Sequence, residues 1–155
     1  MKTSRQSNLD NESRCYKTAI DLLSRREHSR LELKRKLQIK EFSAEVDLEA
    51  LLDGLEDDNC LSNERYAESF VRSRILKGQG ELKIRSQLLQ RGVNMSMADR
   101  AIAEADVNWW ELAEQQRIKR FGEALPTTLQ AKLKQVRFLA ARGFPSHIVR
   151  EITQD

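Results

Sequence analysis

Apolar residues in the middle of the chain recur with the spacing of one face of an α-helix. Over residues 64–77 these positions are Tyr66, Ala67, Phe70, Val71 and Ile75. Such spacing predicts a helix that buries one side. A second run, over residues 81–91, predicts a helix that buries Leu82, Ile84, Leu88 and Leu89. Gly78 and Gly80 separate the two runs and Gly92 follows the second, which suits glycine because it tolerates left-handed backbone at helix ends.

The pattern returns at an offset of 51 residues. Positions that share it are Leu37, Leu88 and Leu139; Val46, Met97 and Ile148; and Ala50, Ala101 and Ile152. Each period reads as three helices, and no alternating run typical of a β-strand interrupts them. We therefore predict an all-α fold of three tandem three-helix modules, at residues 15–61, 62–107 and 108–155. Residues 1–14 are polar and are predicted to be a disordered tail.

Capping residues in the sequence indicate where some of the helices start. Ser62 or Asn63 is placed to cap the helix over 64–77, and Ser96 with Asp99 has capping-box spacing for a helix over 96–105. Trp109 and Trp110 open a third-module helix, where core packing is a better expectation than stacking on nucleic-acid bases. Arg85 falls inside an apolar stripe, so we expect it to pair with an acid of a neighbouring helix, such as Asp99.

Composition narrows the class of protein. The chain has 155 residues, 33% charged residues and a net charge of +3. It contains no apolar run long enough for a membrane span and no apolar signal core at its start, so we expect a cytoplasmic protein without membrane contact. Cys15 and Cys60 stand alone, which fits buried thiols in a reducing compartment, with a redox or regulatory thiol as the alternative.

Charge is unevenly distributed. Residues 64–93 carry seven basic and three acidic residues, whereas residues 44–58 carry seven acidic residues and no basic one. The second helix of each module is basic, so stacked modules would present a basic strip and an acidic strip. Arg65 and Arg72 lie on one side of their helix with Glu68 between them, and an intrahelical ion-pair lattice is as good an interpretation there as binding.

Catalytic chemistry is not indicated. The two histidines, His28 and His147, have no second ligand at helical spacing, which argues against a metal site. The Gly-Gln-Gly at residues 78–80 follows no strand and lacks the Lys-Ser/Thr of a phosphate loop. No serine lies in a nucleophile-elbow context. We expect a protein that is not an enzyme and needs no cofactor.

The stretch LSNERYAESFVRSRILKGQGELKIRSQLLQRGV (residues 61–93) resembles the signature region of the RecX family, bacterial regulators of the RecA recombinase. The matching residues are Arg65, Tyr66, Ala67, Phe70, Val71, Arg74, Gly78, Gly80, Ile84, Arg85, Leu88, Arg91 and Gly92. LLSRREHSRLELKRKL in the first module and KRFG with VRFLAARGF in the third are also similar, so the resemblance covers about residues 15–152. Asn63 departs from the aspartate that the family often has, although asparagine caps about as well.

The resemblance implies an elongated, curved body and a negative regulator of RecA. Such a protein would bind the groove of the RecA–single-stranded-DNA filament as a monomer, with weak direct DNA binding, and inhibit ATP hydrolysis, strand exchange and co-protease activity, so dampening recombination and the SOS response. The residues expected to contact filament DNA or acidic groups of the recombinase are Lys34, Lys36, Arg65, Arg72, Lys77, Lys83, Arg91, Lys132, Lys134 and Arg142. The residues alone leave two other functions open: a helix-turn-helix transcription regulator that reads duplex DNA, and a protein-only adaptor.

Overall fold

A computed structural model describes residues 3–154 of the chain. Over these residues it contains nine α-helices, one short 3₁₀ helix at Glu41–Ser43 and no strand. The helices are α1 (Ser4–Arg25), α2 (Arg30–Gln38), α3 (Leu48–Asp57), α4 (Asn63–Leu76), α5 (Glu81–Gln90), α6 (Met95–Glu104), α7 (Trp109–Phe121), α8 (Leu129–Ala141) and α9 (Ser146–Thr153). The prediction of an all-α fold with three helices in each of three modules is confirmed.

The N-terminal segment differs from the sequence prediction. A disordered tail is wrong for residues 4–14, because the chain is helical from Ser4 onward and continues without a break through α1. Residues 1 and 2 lie outside the described part of the chain. The guanidinium of Arg14 lies 4.3 Å from the centre of the Phe42 ring, which anchors α1 against the 3₁₀ helix. From an anchored segment each further helical residue adds one backbone hydrogen bond, which offsets the low apolar content of the tail.

The chain forms two compact units. The first holds residues 3–67 together with Arg91–Val93, and the second holds Glu68–Gln90 and residues 94–154. The first unit has a leucine-rich core of Ala19, Leu33, Leu37, Leu52, Leu55 and Leu61. These residues come from α1, α2, α3 and the turn before α4, and each is at most 2% exposed. The apolar spacing of these segments therefore does place one face of each helix inside.

The second unit buries a cluster made of Ala113, Leu139, Phe144, Ile148, Val149 and Ile152 from α7, α8 and α9. Phe121 and Phe138 extend it with an edge-to-face contact, their ring centres 5.3 Å apart. On α5, Ile84 and Leu88 are fully buried as predicted, but Leu82 is 48% and Leu89 38% exposed. The prediction that all four are buried was therefore wrong for two, because only the face at Ile84 and Leu88 points into the core.

Side chains cap several helix starts. The hydroxyl of Ser62 accepts a hydrogen bond from the backbone N–H of Arg65 at 3.1 Å, as the sequence predicts. The start of α6 lies earlier than predicted, because Asn94 rather than Ser96 caps it: Asn94 Oδ1 accepts from the N–H of Met97 at 2.8 Å. A capping side chain must precede the helical residues, and Ser96 is already inside the helix.

Two glycines bring α5 against the turn between α8 and α9. The N–H of Gly80 donates to the carbonyl oxygen of Arg142 at 2.7 Å, and the N–H of Leu82 donates to the carbonyl oxygen of Gly143 at 3.0 Å. A Cβ at position 80 would lie 2.4 Å from the carbonyl carbon of Gly143. Gly143 has φ +95°, and a Cβ there would lie 2.3 Å from Cβ of Lys83. The sequence prediction of a left-handed helix end holds for Gly78 (φ +76°), while Gly80 instead permits this close approach.

Candidate functional site

The basic helix of the first module is largely neutralised by acids of the same unit. Arg30 lies 2.7 Å from Glu49, 2.7 Å from Asp53 and 3.0 Å from Glu56. Lys34 lies 2.5 Å from Glu49. Burial disfavours the charged guanidinium, but the hydrogen bonds that Arg30 donates to these carboxylates outweigh it and raise the pKa of Arg30 further above its usual range. The predicted basic and acidic strips therefore face each other here, across α2 and α3, and Lys34 is part of that contact.

Lys36 belongs to a partly buried cluster around His28. His28 is 1% exposed, its Nδ1 lies 3.0 Å from the carbonyl oxygen of Arg26, and Lys36 Nζ lies 2.9 Å from its Nε2. Because an ammonium only donates, this geometry requires a neutral ring with its proton on Nδ1. Burial, with the nearby positive charges of Arg26 and Lys36, lowers the pKa of His28 despite the favourable carbonyl and Glu32.

Arg65 holds the start of α4 in the first unit. Its Nε lies 2.9 Å from Glu27 Oε1, its Nη1 donates to Asn59 Oδ1 at 3.0 Å, and its Nη2 donates to the carbonyl oxygen of Asn59 at 2.8 Å. Asn59 has φ +61°, so the guanidinium also fastens a left-handed residue after α3. Arg65 pairs with Glu27 rather than with Glu68, and the intrahelical lattice is not formed at this residue. The guanidinium of Arg65 therefore makes its contacts within the first unit and stabilises the start of α4.

Three of the expected contact residues meet in the second unit, at the turn where α5 packs against the end of α8. Arg142 Nη1 donates to the carbonyl oxygen of Lys77 at 3.1 Å, and Lys83 lies against Gly143. We call Lys77, Lys83 and Arg142 the junction cluster. Within the described residues none of the three has a carboxylate at ion-pair distance. The close packing of α5 against the turn at Gly143 therefore places Lys77, Lys83 and Arg142 near one another. Among the described residues, no ion-paired acid neutralises them.

An arginine that the sequence prediction missed adds to this surface. Arg120 and Arg142 both approach the ring of Phe138, with guanidinium carbons 6.0 Å and 5.1 Å from its centre. Contact with the ring face favours a positive charge and limits the freedom of both guanidinium groups. The KRFG stretch gave a signal for Arg120, since a basic residue directly before the last residue of α7 must emerge near the helix end.

The remaining predicted residues are dispersed. Arg72 is exposed on α4, and lines a surface groove with Leu76 and Glu104. Lys132 donates to the carbonyl oxygen of Gln154 at 3.2 Å. Lys134 is exposed on α8, and Arg91 is half-buried after α5. The structure thus brings together Lys77, Lys83 and Arg142 out of the ten expected residues, and ties Lys34, Lys36 and Arg65 to partners within the first unit.

Two further basic residues have structural partners. Arg85 Nε donates to Asp99 Oδ1 at 2.6 Å, so the predicted pairing between α5 and α6 is confirmed. Arg117 of α7 is 1% exposed and binds Glu114 through Nε at 3.0 Å and Nη2 at 2.7 Å. The Arg117 guanidinium also donates to the carbonyl oxygens of residues 122, 123 and 124 at 3.3–3.4 Å. The hydrogen bond to Glu114 outweighs burial and raises the pKa of Arg117.

The chemistry available at this surface is ionic. The described residues contain no group of three or more His, Cys, Asp or Glu side chains arranged to hold a metal ion. Within the same residues, no helix is long and apolar enough to cross a bilayer. Lysine and arginine side chains with free donors recognise phosphates and carboxylates. The fold and this surface together define an all-helical protein of repeated three-helix modules that carries an exposed cationic surface.

Comparison with known proteins specifies the family. Models of the first, second and third three-helix domains of RecX match residues 15–51, 62–102 and 106–153. The proteins named regulatory protein RecX of Pseudomonas syringae pv. tomato and Pseudomonas putida are 40% and 41% identical over 141 residues, which are 91% of this chain and 90% of each relative. The chain belongs to the RecX family of regulatory proteins.

Solved structures agree on the fold. The crystal structure of RecX from Lactobacillus salivarius superposes with a TM-score of 0.77 at 22% identity, covering 94% of this chain and 96% of that one. A second crystal structure of a regulatory protein RecX gives 0.81 at 24% identity and covers 100% of this chain and 81% of that one. At this identity the similarity supports the three-domain helical architecture alone.

Proposed function

We propose that this protein is a negative regulator of the RecA recombinase that binds the RecA–single-stranded-DNA filament and inhibits ATP hydrolysis, strand exchange and co-protease activity. Family membership supports the regulatory role and RecA as its partner. The junction cluster supports the mode of contact: it presents three cations, from the end of α4, from α5 and from the end of α8, without neutralising acids among the described residues.

The cluster would act as a phosphate clamp on the filament. Arg142 is oriented by its bond to the Lys77 carbonyl and by the Phe138 ring, so little rotamer freedom is left to lose on binding. Lys77 and Lys83 supply mobile point charges beside it. Each phosphate contact to a single strand contributes a salt-dependence slope of about 0.7 in log K against log salt. The three-module division at residues 15–61, 62–107 and 108–155 remains part of this proposal.

The test is an ATPase time course on preformed RecA filaments. Wild type is compared with Lys77→Ala/Lys83→Ala and with the control Lys17→Ala/Arg35→Ala, which removes the same charge from exposed positions of α1 and α2. We expect the junction variant to require at least tenfold more protein for half-inhibition, and the control to match wild type. The salt slope should fall by about 1.4 in the junction variant only.

Four results would contradict the proposal. Equal inhibition by wild type and the junction variant would remove the cluster from the contact. Tight binding to one duplex sequence without RecA would favour a transcription regulator, while inhibition that does not change with salt would favour a protein-only adaptor. Wild-type protein that leaves ATP hydrolysis unchanged would refute the regulatory function itself.

A further inference from the structure

The outer side of α8 carries exposed leucines and cations on one continuous face. Leu129, Gln130, Leu133, Lys134 and Arg137 line it together, and we call it the leucine–cation face. Leu129 is 73% and Leu133 43% exposed. The sequence of α8, LQAKLKQVRFLAA, contains no acid, and within the described residues neither Lys134 nor Arg137 has a carboxylate at ion-pair distance. Adjacent apolar side chains of this exposure on a well-packed helix indicate a contact surface.

The position of this face in the repeat supports that interpretation. Leu133 and Lys134 stand 51 residues after Leu82 and Lys83, which pack against the glycine turn at Gly143. In the first unit, Leu31 lies one further repeat back and packs against the glycine turn at Gly92, where a Cβ would be 2.8 Å from Leu31 Cβ. In the first two modules a glycine turn of the same unit thus contacts the helix at these positions, although Leu82 remains 48% exposed. On α8 both Leu133 and Lys134 are exposed, whereas Lys83 of α5 is half-buried.

A second copy of this chain does not fit the face. The covering turns have glycine at positions 92 and 143, and the equivalent position of the first module is Glu41. A side chain there would collide with the helix, as the glycine geometry requires. In addition, α8 begins at Leu129, and Thr128 Oγ1 already accepts from the N–H of Ala131, the position equivalent to Gly80. In the second unit the N–H of Gly80 donates to the covering turn. The equivalent N–H on α8, that of Ala131, is therefore already used.

A helix does fit. Leu129 and Leu133 form an i, i+4 ridge that Arg137 continues, and Lys134 lies beside it. Ridges of this kind pack against a second helix whose apolar residues recur at three- and four-residue intervals. The flanking cations, with no acid on α8, select acidic residues beside that apolar stripe. The face has no aromatic residue on which bases could stack, and exposed leucine gains nothing from phosphate.

We infer that the leucine–cation face of α8 binds an acidic amphipathic helix of the partner protein. This inference rests on the proposed function, since the partner tested is RecA. It assigns Lys134 to protein contact, separate from the phosphate contact of the junction cluster. The chain would then hold the filament through two surfaces of different chemistry, one directed at nucleic acid and one at protein.

The experiment measures binding of purified, DNA-free RecA to the immobilised full chain. The variants are Leu129→Gln/Leu133→Gln and Lys134→Glu/Arg137→Glu, and the control is Leu76→Gln, an 88% exposed leucine on α4. All replaced side chains are at the surface, and circular dichroism checks that the helices are retained. We expect both double variants to bind RecA at least tenfold more weakly, the control to bind normally, and affinity for single-stranded DNA to be unchanged by the leucine variant.

The outcomes separate the two proposals. If wild type binds RecA and the leucine variant binds it equally well, this inference fails and the proposed function stands. If the charge-reversal variant loses affinity for single-stranded DNA but keeps its affinity for RecA, the face binds nucleic acid and the inference also fails. If wild type itself does not bind DNA-free RecA, the inference falls; the ATPase assay then decides whether the proposed function falls with it.

Discussion

Replacing Gly80 by alanine should separate α5 from the turn between α8 and α9. The added Cβ would lie 2.4 Å from the carbonyl carbon and oxygen of Gly143 and 2.5 Å from the backbone nitrogen of Phe144. These are backbone atoms, so no side-chain rotation can relieve the overlap. Overpacking of this kind costs about 1–3 kcal/mol. The N–H bonds of Gly80 and Leu82 to this turn contribute roughly 0.5–1.5 kcal/mol each and would be weakened or lost.

The expected net effect is a destabilisation of about 2–4 kcal/mol. This figure includes a small opposing effect: alanine reduces the conformational entropy of the unfolded chain, which stabilises the folded state by about 0.4–1 kcal/mol. Urea unfolding followed by circular dichroism measures this loss of stability. In thermal unfolding, Tm should fall by about 2–4 °C for each kcal/mol lost. Gly54→Ala is the matched control, because Gly54 lies inside α3 with nothing within 4 Å of its Cβ position. That variant should gain about 0.5–1 kcal/mol from helix propensity. A Gly80→Ala protein as stable as wild type would refute the close approach.

Two further predictions concern buried polar groups. The pKa of His28 is lowered in the folded state, whereas a histidine in the unfolded chain has a pKa of about 6.5, so protonation favours unfolding. The contribution of neutral His28 to the free energy of unfolding is therefore complete above about pH 6.5. It is lost as the pH falls towards the folded-state pKa. The urea midpoint should therefore drop between pH 7.5 and 5.5, and His28→Gln, although less stable at pH 7.5, should flatten that dependence; an equal slope in the variant would contradict the reasoning. Arg117→Met should cost roughly 3 kcal/mol, because it leaves Glu114 and the carbonyls after α7 without their donor. Arg117→Lys should recover little of this in thermal unfolding, since an ammonium lacks the planar fork, and full recovery would argue against the bidentate pair.

The sequence could predict what depends on apolar periodicity. Leu37, Leu88 and Leu139 share the 51-residue offset, and all three are fully buried at equivalent places. The repeat therefore gave the number and kind of helices. Arg85 could be paired with Asp99 because an arginine inside an apolar stripe needs a nearby acid, and α6 is the next helix along the chain. Such inferences work because each uses either a regular spacing along the chain or two helices that are adjacent in sequence.

What the sequence could not predict depends on contacts between distant residues. Arg117 reads as one of several basic residues in WWELAEQQRIKRF, yet it is buried. Its position four residues after Ala113 and four before Phe121 is the signal that it lies on the inner face. The role of Gly80 was also hidden, because only the fold brings Gly143 beside it. Spacing shows which face a residue occupies but does not show what opposes that face.

The distribution of acids explains why the basic second helices of the modules differ in their ion pairs. In the first unit α3 carries acids at Glu49, Asp53 and Glu56, and these bind the cations of α2. The third module has a single acid in α9, within the sequence SHIVREIT, and among the described residues neither Lys134 nor Arg137 of α8 has a carboxylate at ion-pair distance. The repeat supplies a basic second helix each time, and the acidity of the third helix decides whether that charge stabilises the module or remains available for a partner. Adding acids to α9 by Arg150→Glu should therefore weaken filament inhibition without loss of stability, and inhibition equal to wild type would show that the charge of α8 is not used.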